Sequence, residues 1–475
     1  MAYPRSMPNI VWVFPDEWRH DAFGFAGNPV IRTPHIDSLA RRGAVFRSAH
    51  CESPVCAPSR ASLLTGRYCS GHGLRDNMHR PSGGTFPGPE VPTFLRALQG
   101  VGYRTAEFGK MHFFTRPHTE DDLKAYGFDE VSEEYDKWWL HLVDTPYTRY
   151  LKGRGLHEGW SKDLMESFMT FLGGAPGPFA SPENLDPADT LDMFIGRQAA
   201  EWIRVYDREQ PFFLWVAFVG PHMPYDGPRP HSDAYDPSAI PLGPLGFDEF
   251  PDNRWGAWMK ETMYLLNCGR LTENDYRLAG KHYYGAASMI DEAVGGILRA
   301  LADAGIEDET WIFVSSDHGE MLGDHGFVGK HLFYRSAVLV PQIVVPPAGH
   351  RAGITSRALT QGFDVPATML DIAGVDDRQW YQGGSLLGVF DEQDVGRKVV
   401  FSEVSGFLMA FEGRHKLIVH TESREPQELY DLKADPDERR NVLAEPAYAG
   451  TVDEMMACYV RPFVVGELDK GAVRV

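Results

Sequence analysis

The stretch YGAASMIDEAVGGILRALADAGIEDETWIFVSSDH, residues 284–318, holds one complete helix–strand unit. Tyr284, Ala287, Ile290, Val294, Ile297 and Leu298 recur at helical spacing on one face, and Gly305 suits the stop of that helix. Residues 310–316 follow as a short apolar run, and Asp317 and His318 come immediately after it. Ligands of open α/β sheets gather outside the carboxyl ends of strands, so a polar pair at that point marks a candidate site. The alternation extends in both directions. Strands are expected over 9–14, 44–49, 104–108, 212–219, 310–316 and 338–345, and helices over 36–42, 59–65, 91–99, 190–205, 275–304 and 364–373. Apolar runs alternating with helical patterns predict an α/β protein whose mostly parallel central sheet is flanked by helices. After Gly383-Gly384 the runs 398–403, 407–412, 415–419 and 428–432 read as short antiparallel strands. The expected division is therefore a catalytic unit over 1–385 and a small C-terminal α+β subdomain over 386–475.

Two regions break the alternation. Residues 113–188 and 225–272 are rich in aromatic and charged residues, Gly and Pro. Such insertions build a pocket rim, pack over the sheet or make a subunit contact. Trp138, Trp139 and Trp160 fit a platform for a sugar or aryl ring, a cage for a cation such as choline, or core packing.

The 475 residues carry a formal net charge of −20, which argues against nucleic acid or an anionic membrane surface as the main partner. An anionic substrate would need a local positive pocket. Five scattered Cys are odd in number and lack paired Cys-x2-Cys spacing, so neither a disulfide framework nor structural zinc is expected. No stretch approaches 18 apolar residues, and the expected location is cytoplasmic.

Five segments carry chemistry. Cys56 stands in Cys56-Ala57-Pro58-Ser59-Arg60, followed by an apolar turn and Leu64-Thr65-Gly66. Pro58 suits the first position of a helix, which would put Cys56 just ahead of the helix N-terminus in a positive field. Asp16 and Glu17 follow the strand 9–14, a placement suited to a hard cation. Lys110 and His112, two apart on an extended segment, would face one side. His222 follows strand 212–219 between Pro221 and Pro224, and Asp317-His318 opens a run that ends at Lys330.

These segments together resemble the type I sulfatases of the alkaline phosphatase superfamily, in the neighbourhood of their arylsulfatase and phosphonate monoester hydrolase branch. The Cys-x-Pro-Ser-Arg segment is similar to the signature whose Cys is oxidised to Cα-formylglycine. The resemblance implies an alkaline-phosphatase-like fold, a formylglycine at position 56, and one divalent metal held by Asp16, Asp317, His318 and residue 56. Calcium is the first choice of metal, with magnesium or manganese as alternatives. It also implies that Arg60, Lys110 and Lys330 balance the sulfuryl oxygens. His222, with Lys330, protonates the leaving oxygen, and His112 takes the proton that releases sulfate. The family commonly has Asp-Asp where this chain has Asp16-Glu17, so Glu17 is a departure. Implied partners are a small-molecule sulfate ester and a formylglycine-generating enzyme, with a homo-oligomer possible. A phosphonate monoester or phosphodiester hydrolase is the alternative enzyme, and a non-catalytic binding protein the alternative of another class. The Lys110/His112 pair favours sulfate.

Overall fold

The computed structural model describes residues 7–77, 84–114, 118–172, 185–207, 209–246, 250–266 and 268–468. Eight strands form the central sheet: β1 (Asn9–Val13), β2 (Ala44–His50), β3 (Arg104–Gly109), β4 (Glu130–Glu133), β5 (Phe212–Ala217), β6 (Thr310–Ser315), β7 (Gln342–Val345) and β8 (Ile354–Gln361). Their order is β4-β3-β5-β1-β6-β7-β2-β8. β7 runs antiparallel to both neighbours and the other pairings are parallel. β5 and β6 are buried along their whole length, as parallel strands covered by helices on both faces must be. In the centre Trp12 of β1 stacks on Trp215 of β5 at 4.4 Å, and its Nε1 donates to Ser315 Oγ of β6 at 2.8 Å. The three middle strands are thus tied by side chains as well as by their ladders.

The helix Glu273–Asp303 starts at a Thr272/Asp275 capping box and packs against helix Leu191–Val205. A Cβ added at Gly196 would lie 2.8 Å from Ala293 Cβ, so that glycine sets how closely the two helices approach. A second, antiparallel sheet contains β9 (Val400–Val404), β10 (Phe407–Phe411), β11 (His415–His420) and β12 (Pro426–Asp431), ordered β12-β11-β10-β9.

Several expectations need correction. Residues 338–345 are not one strand: a helical turn, Arg335–Val338, precedes β7, which begins only at Gln342. β4 and β8 carry no continuous apolar run, because edge strands with one exposed face need none. The helix expected over 91–99 begins at Phe94, where Thr93 Oγ1 accepts from Arg96 N at 3.2 Å. Both insertions contain helices. The first contains helices Pro146–Arg154 and His157–Leu172, and the second contains Arg254–Leu265. Trp160 is buried edge-on against Tyr147, so it is core, whereas Trp139 is 55% exposed; the side chain of Trp138 lies outside the described residues.

Gly109 closes β3 with φ +122°, and a Cβ there would fall 1.9 Å from Ala217 O on β5. Both the backbone conformation and the space demand glycine at this point. Gly109→Ala will therefore lose about 2–4 kcal/mol of stability in denaturant unfolding. Gly100→Ala, where an added Cβ meets nothing within 4 Å, will be neutral or mildly stabilising in the same assay.

Candidate active site

Five strands deliver the candidate residues beyond their carboxyl ends. β1 leads to Asp16 and Glu17, β2 to Cys56, β3 to Lys110 and His112, β5 to His222, and β6 to Asp317 and His318. Cys56 is fully buried and is itself the first residue of helix Cys56–Thr65, one turn earlier than expected. Pro58 sits third in the helix, not first. That is tolerated because the first turn has no intrahelical acceptors for its N–H groups, and the ladder begins with Ser59 N donating to Val55 O. Asn77 Oδ1 accepts from Ala57 N at 3.2 Å and caps this end from outside.

Around Cys56 Sγ stand Lys330 Nζ at 2.8 Å, His318 Nε2 at 3.2 Å and Asp16 Oδ1 at 3.7 Å, and the His112 side chain also lowers the pKa of the thiol. The ligand atoms of Asp16, Cys56, Asp317 and His318 all lie within 4.8 Å of one another. His318 Nδ1 pairs with Gly319 O at 2.8 Å, which leaves Nε2 as the inward-facing nitrogen. Two carboxylates and an imidazole oriented by a carbonyl fit a divalent cation, with the oxygens favouring a hard one. Burial pushes the Cys56 thiol up, but Lys330, Lys110 and His318 outweigh it and hold the thiol well below its ordinary value. Asp16 likewise falls to about 2, because Lys110, His222 and Arg60 overcome burial and the neighbouring Cys56.

Arg60 is completely buried. Its Nε is 2.9 Å from Asp317 Oδ2, one terminal nitrogen is 3.0 Å from Asp16 Oδ2, and the other donates to Lys110 O. Lys110 Nζ lies 2.7 Å from Asp16 Oδ2 and 2.9 Å from Asp136 Oδ2. His112 reaches the site by a route the sequence did not suggest. Its φ of +60° breaks the extended conformation, and the turn is held by Glu133, whose carboxylate accepts from Met111 N at 3.1 Å.

Glu17 does not join the four-residue group around Cys56. Its Oε2 is 3.0 Å from Lys330 Nζ and 3.3 Å from His222 Nε2, and burial, resisted by those two groups, raises its carboxyl to about 8. The extra methylene and a left-handed backbone at φ +63° carry it toward the Lys330 side. His222 Nδ1 pairs with Met223 O at 2.6 Å, which aims Nε2 at Glu17 and Asp136. Burial and Lys330 disfavour the imidazolium, yet Asp136 and Glu17 prevail and its pKa rises. Glu320 and His325 brace the loop: Glu320 Oε1 accepts from Leu322 N at 2.9 Å, and His325 stacks on Tyr334 at 3.8 Å.

Sequence reasoning missed Asp136, Glu133 and Lys137. Lys137 Nζ donates to His222 O at 3.0 Å and pairs with Asp226, fixing the His222 turn. All three lie in or beside the first insertion, where no spacing marks them; sheet pairing of β4 with β3 is what brings them in.

A sequence model of the sulfatase family matches residues 8–375, and one described as N-sulphoglucosamine sulphohydrolase, C-terminal, matches residues 323–460. An arylsulfatase of Clostridium perfringens is 27% identical over 487 residues, covering 97% of this chain and 94% of the relative. A choline-sulfatase of Rhizobium meliloti is 28% identical, covering 94% of this chain and 84% of the relative. Among solved structures, the phosphonate monoester hydrolase of Agrobacterium radiobacter shares the fold with a TM-score of 0.77 at 24% identity, covering 96% of each chain. The family match spans most of the chain and every strand that feeds the site, and the chain belongs to the sulfatase family of the alkaline phosphatase superfamily, enzymes that hydrolyse sulfate esters.

Proposed function

We propose that this sulfatase cleaves a small-molecule sulfate monoester with a formylglycine made from Cys56 and one divalent cation, calcium before magnesium or manganese. The observation that carries the reading is the convergence on Cys56 Sγ of Lys330, His318 and Asp16, from two further segments of the chain. A thiol cannot expel a sulfuryl group by returning to an aldehyde, so the chemistry gives position 56 a reason beyond packing. A bound cation would supply Lewis-acid charge for the sulfuryl transfer, and the hydrated aldehyde would supply the hydroxyl that attacks sulfur. Asp16, Asp317 and His318 would hold the cation.

Arg60 keeps those two carboxylates in place, while Lys110 and Lys330 offer their ammonium groups to the sulfuryl oxygens. His222, whose pKa is raised by Asp136 and Glu17 against burial, holds a proton on Nε2 for the departing oxygen. His112 takes the proton whose loss ends the cycle. The same reading includes a catalytic unit over 1–385, a C-terminal unit over 386–475, a formylglycine-generating enzyme as maturation partner, and a cytoplasmic place of work.

The likeness to the Agrobacterium radiobacter enzyme favours a second reading, phosphonate monoester hydrolysis. The arrival of both Lys110 and His112 at the site supports sulfate instead.

Protein from a host that makes formylglycine will give a residue-56 peptide with the mass of the aldehyde or its hydrate. Cys56→Ala will lower kcat/KM by more than about a thousandfold. Full activity with an unmodified thiol would sink the nucleophile assignment. With a common leaving group, kcat/KM for an aryl sulfate will exceed that for an aryl phosphonate monoester by about tenfold or more; the reverse order selects the second reading. His112→Ala will release one equivalent of alcohol in a burst and then turn over at least about a hundredfold more slowly. Steady turnover at the normal rate would remove its role.

A further inference from the structure

Asp136 helps His222 keep its proton, but its contact with Lys110 is given no part in the proposed chemistry. It precedes the helical turn Lys137–Leu140 in the first insertion. Its Oδ2 lies 2.9 Å from Lys110 Nζ and 3.6 Å from His222 Nε2, and its charge also acts on His112. It is not among the four groups clustered with Cys56. The side chains of Asp16, Glu17 and Asp317 are 0% exposed and that of Lys110 1%, whereas Asp136 keeps 11% of its side chain open to solvent. The Lys110 ammonium that would meet an ester is therefore already opposed by a carboxylate that is more open to solvent than the groups around it.

We propose that Asp136 is a specificity-determining residue that filters substrates by charge, admitting esters whose transferred group carries one negative charge and disfavouring those that carry two. The inference rests on the reading of Lys110 as a cation that meets the oxygens of the transferred group. Sulfate monoesters and phosphonate monoesters are singly charged at neutral pH. Phosphate monoesters, with a second pKa near about 6, are doubly charged. All three are tetrahedral and close in size, so shape separates them poorly. Charge separates them well. A carboxylate about 5 Å from the added charge, in a medium between that of water and a protein surface, changes relative binding by a factor of about 5–100.

The test is kcat/KM at about pH 8 for an aryl sulfate, an aryl phosphonate monoester and an aryl phosphate monoester with one leaving group, in the wild type, Asp136→Asn and Asp136→Glu. In Asp136→Asn the phosphate-to-phosphonate ratio will rise about tenfold or more, and Asp136→Glu will return it toward the wild-type value. An unchanged ratio, or an equal loss on all three esters, overturns the filter, because a residue that only positions Lys110 and His222 would move all three together. Calorimetric dissociation constants for phenylphosphonate dianion and its singly charged methyl ester keep the comparison open if Asp136→Asn turns nothing over. Loss of both ligands in Asp136→Asn and in Asp136→Ser also overturns it. A wild type that prefers phosphonate to sulfate would refute the proposed substrate while leaving the filter standing, since both esters are singly charged.

Discussion

The buried guanidinium of Arg60 is the interaction on which the site depends. It lies under Cys56 on the first turns of its helix, grips Asp16 after β1 and Asp317 after β6, donates to the carbonyl of Lys110 after β3, and stacks over Phe14 at 5.0 Å. Four segments separated by up to about three hundred residues thus meet at one cation. A fully buried charge is tolerable only when paired and hydrogen-bonded, and removing one partner of such a pair costs about 3–5 kcal/mol. The carboxylates that would hold a divalent cation are accordingly fixed in direction before any cation arrives. Arginine suits this place better than lysine, because its planar fork can serve two carboxylates and a carbonyl at once.

Much of this arrangement was legible in the chain. The buried strands announce themselves as apolar runs, and the reactive residues follow them directly, as with Asp317 and His318 after β6. What could not be read is what depends on contacts between distant segments. Pro58 marks a helix start but does not fix which residue is first; the chain begins the helix at Cys56, where Asn77 supplies an acceptor from outside. Glu17 occupies the place of a presumptive ligand, and only the positions of Lys330 and His222 show that its carboxylate is drawn elsewhere. Asp136 carries no signal at all in the sequence, since its meaning lies in Lys110 and His222, 26 and 86 residues away by number.

Local conformation at the site runs against ordinary backbone preference. Glu17, His112, Leu322, His325 and His331 all have positive φ, and each belongs to a segment that carries or braces a reactive side chain. A non-glycine residue in this region costs on the order of 1–3 kcal/mol and persists only where its surroundings dictate it. Those surroundings are visible. Asp317 Oδ1 accepts from Glu17 N, Tyr283 OH donates to Glu17 O at 2.7 Å, and Glu133 holds Met111 N beside His112. The period-two argument for Lys110 and His112 assumed an extended segment, but His112 has a φ of +60°, so a turn and not a strand sets the direction of its imidazole.

The second sheet belongs to the same account. Trp255, fully buried in helix Arg254–Leu265, stacks on Phe333 at 5.1 Å and meets Phe407 of β10 edge-on at 5.0 Å. Lys416 of β11 donates to Phe333 O and pairs with Glu438, while Trp258 Nε1 donates to His331 O at 3.0 Å. His331 and Phe333 closely follow Lys330, and His331 N in turn donates to Pro54 O at 3.0 Å, two residues before Cys56. The helix Arg254–Leu265 of the second insertion is therefore packed between the C-terminal sheet and the segment that follows Lys330. A lysine ammonium held 2.8 Å from Cys56 Sγ needs a backbone that does not yield, and an antiparallel sheet braced through two tryptophans supplies that stiffness from the far side of the chain.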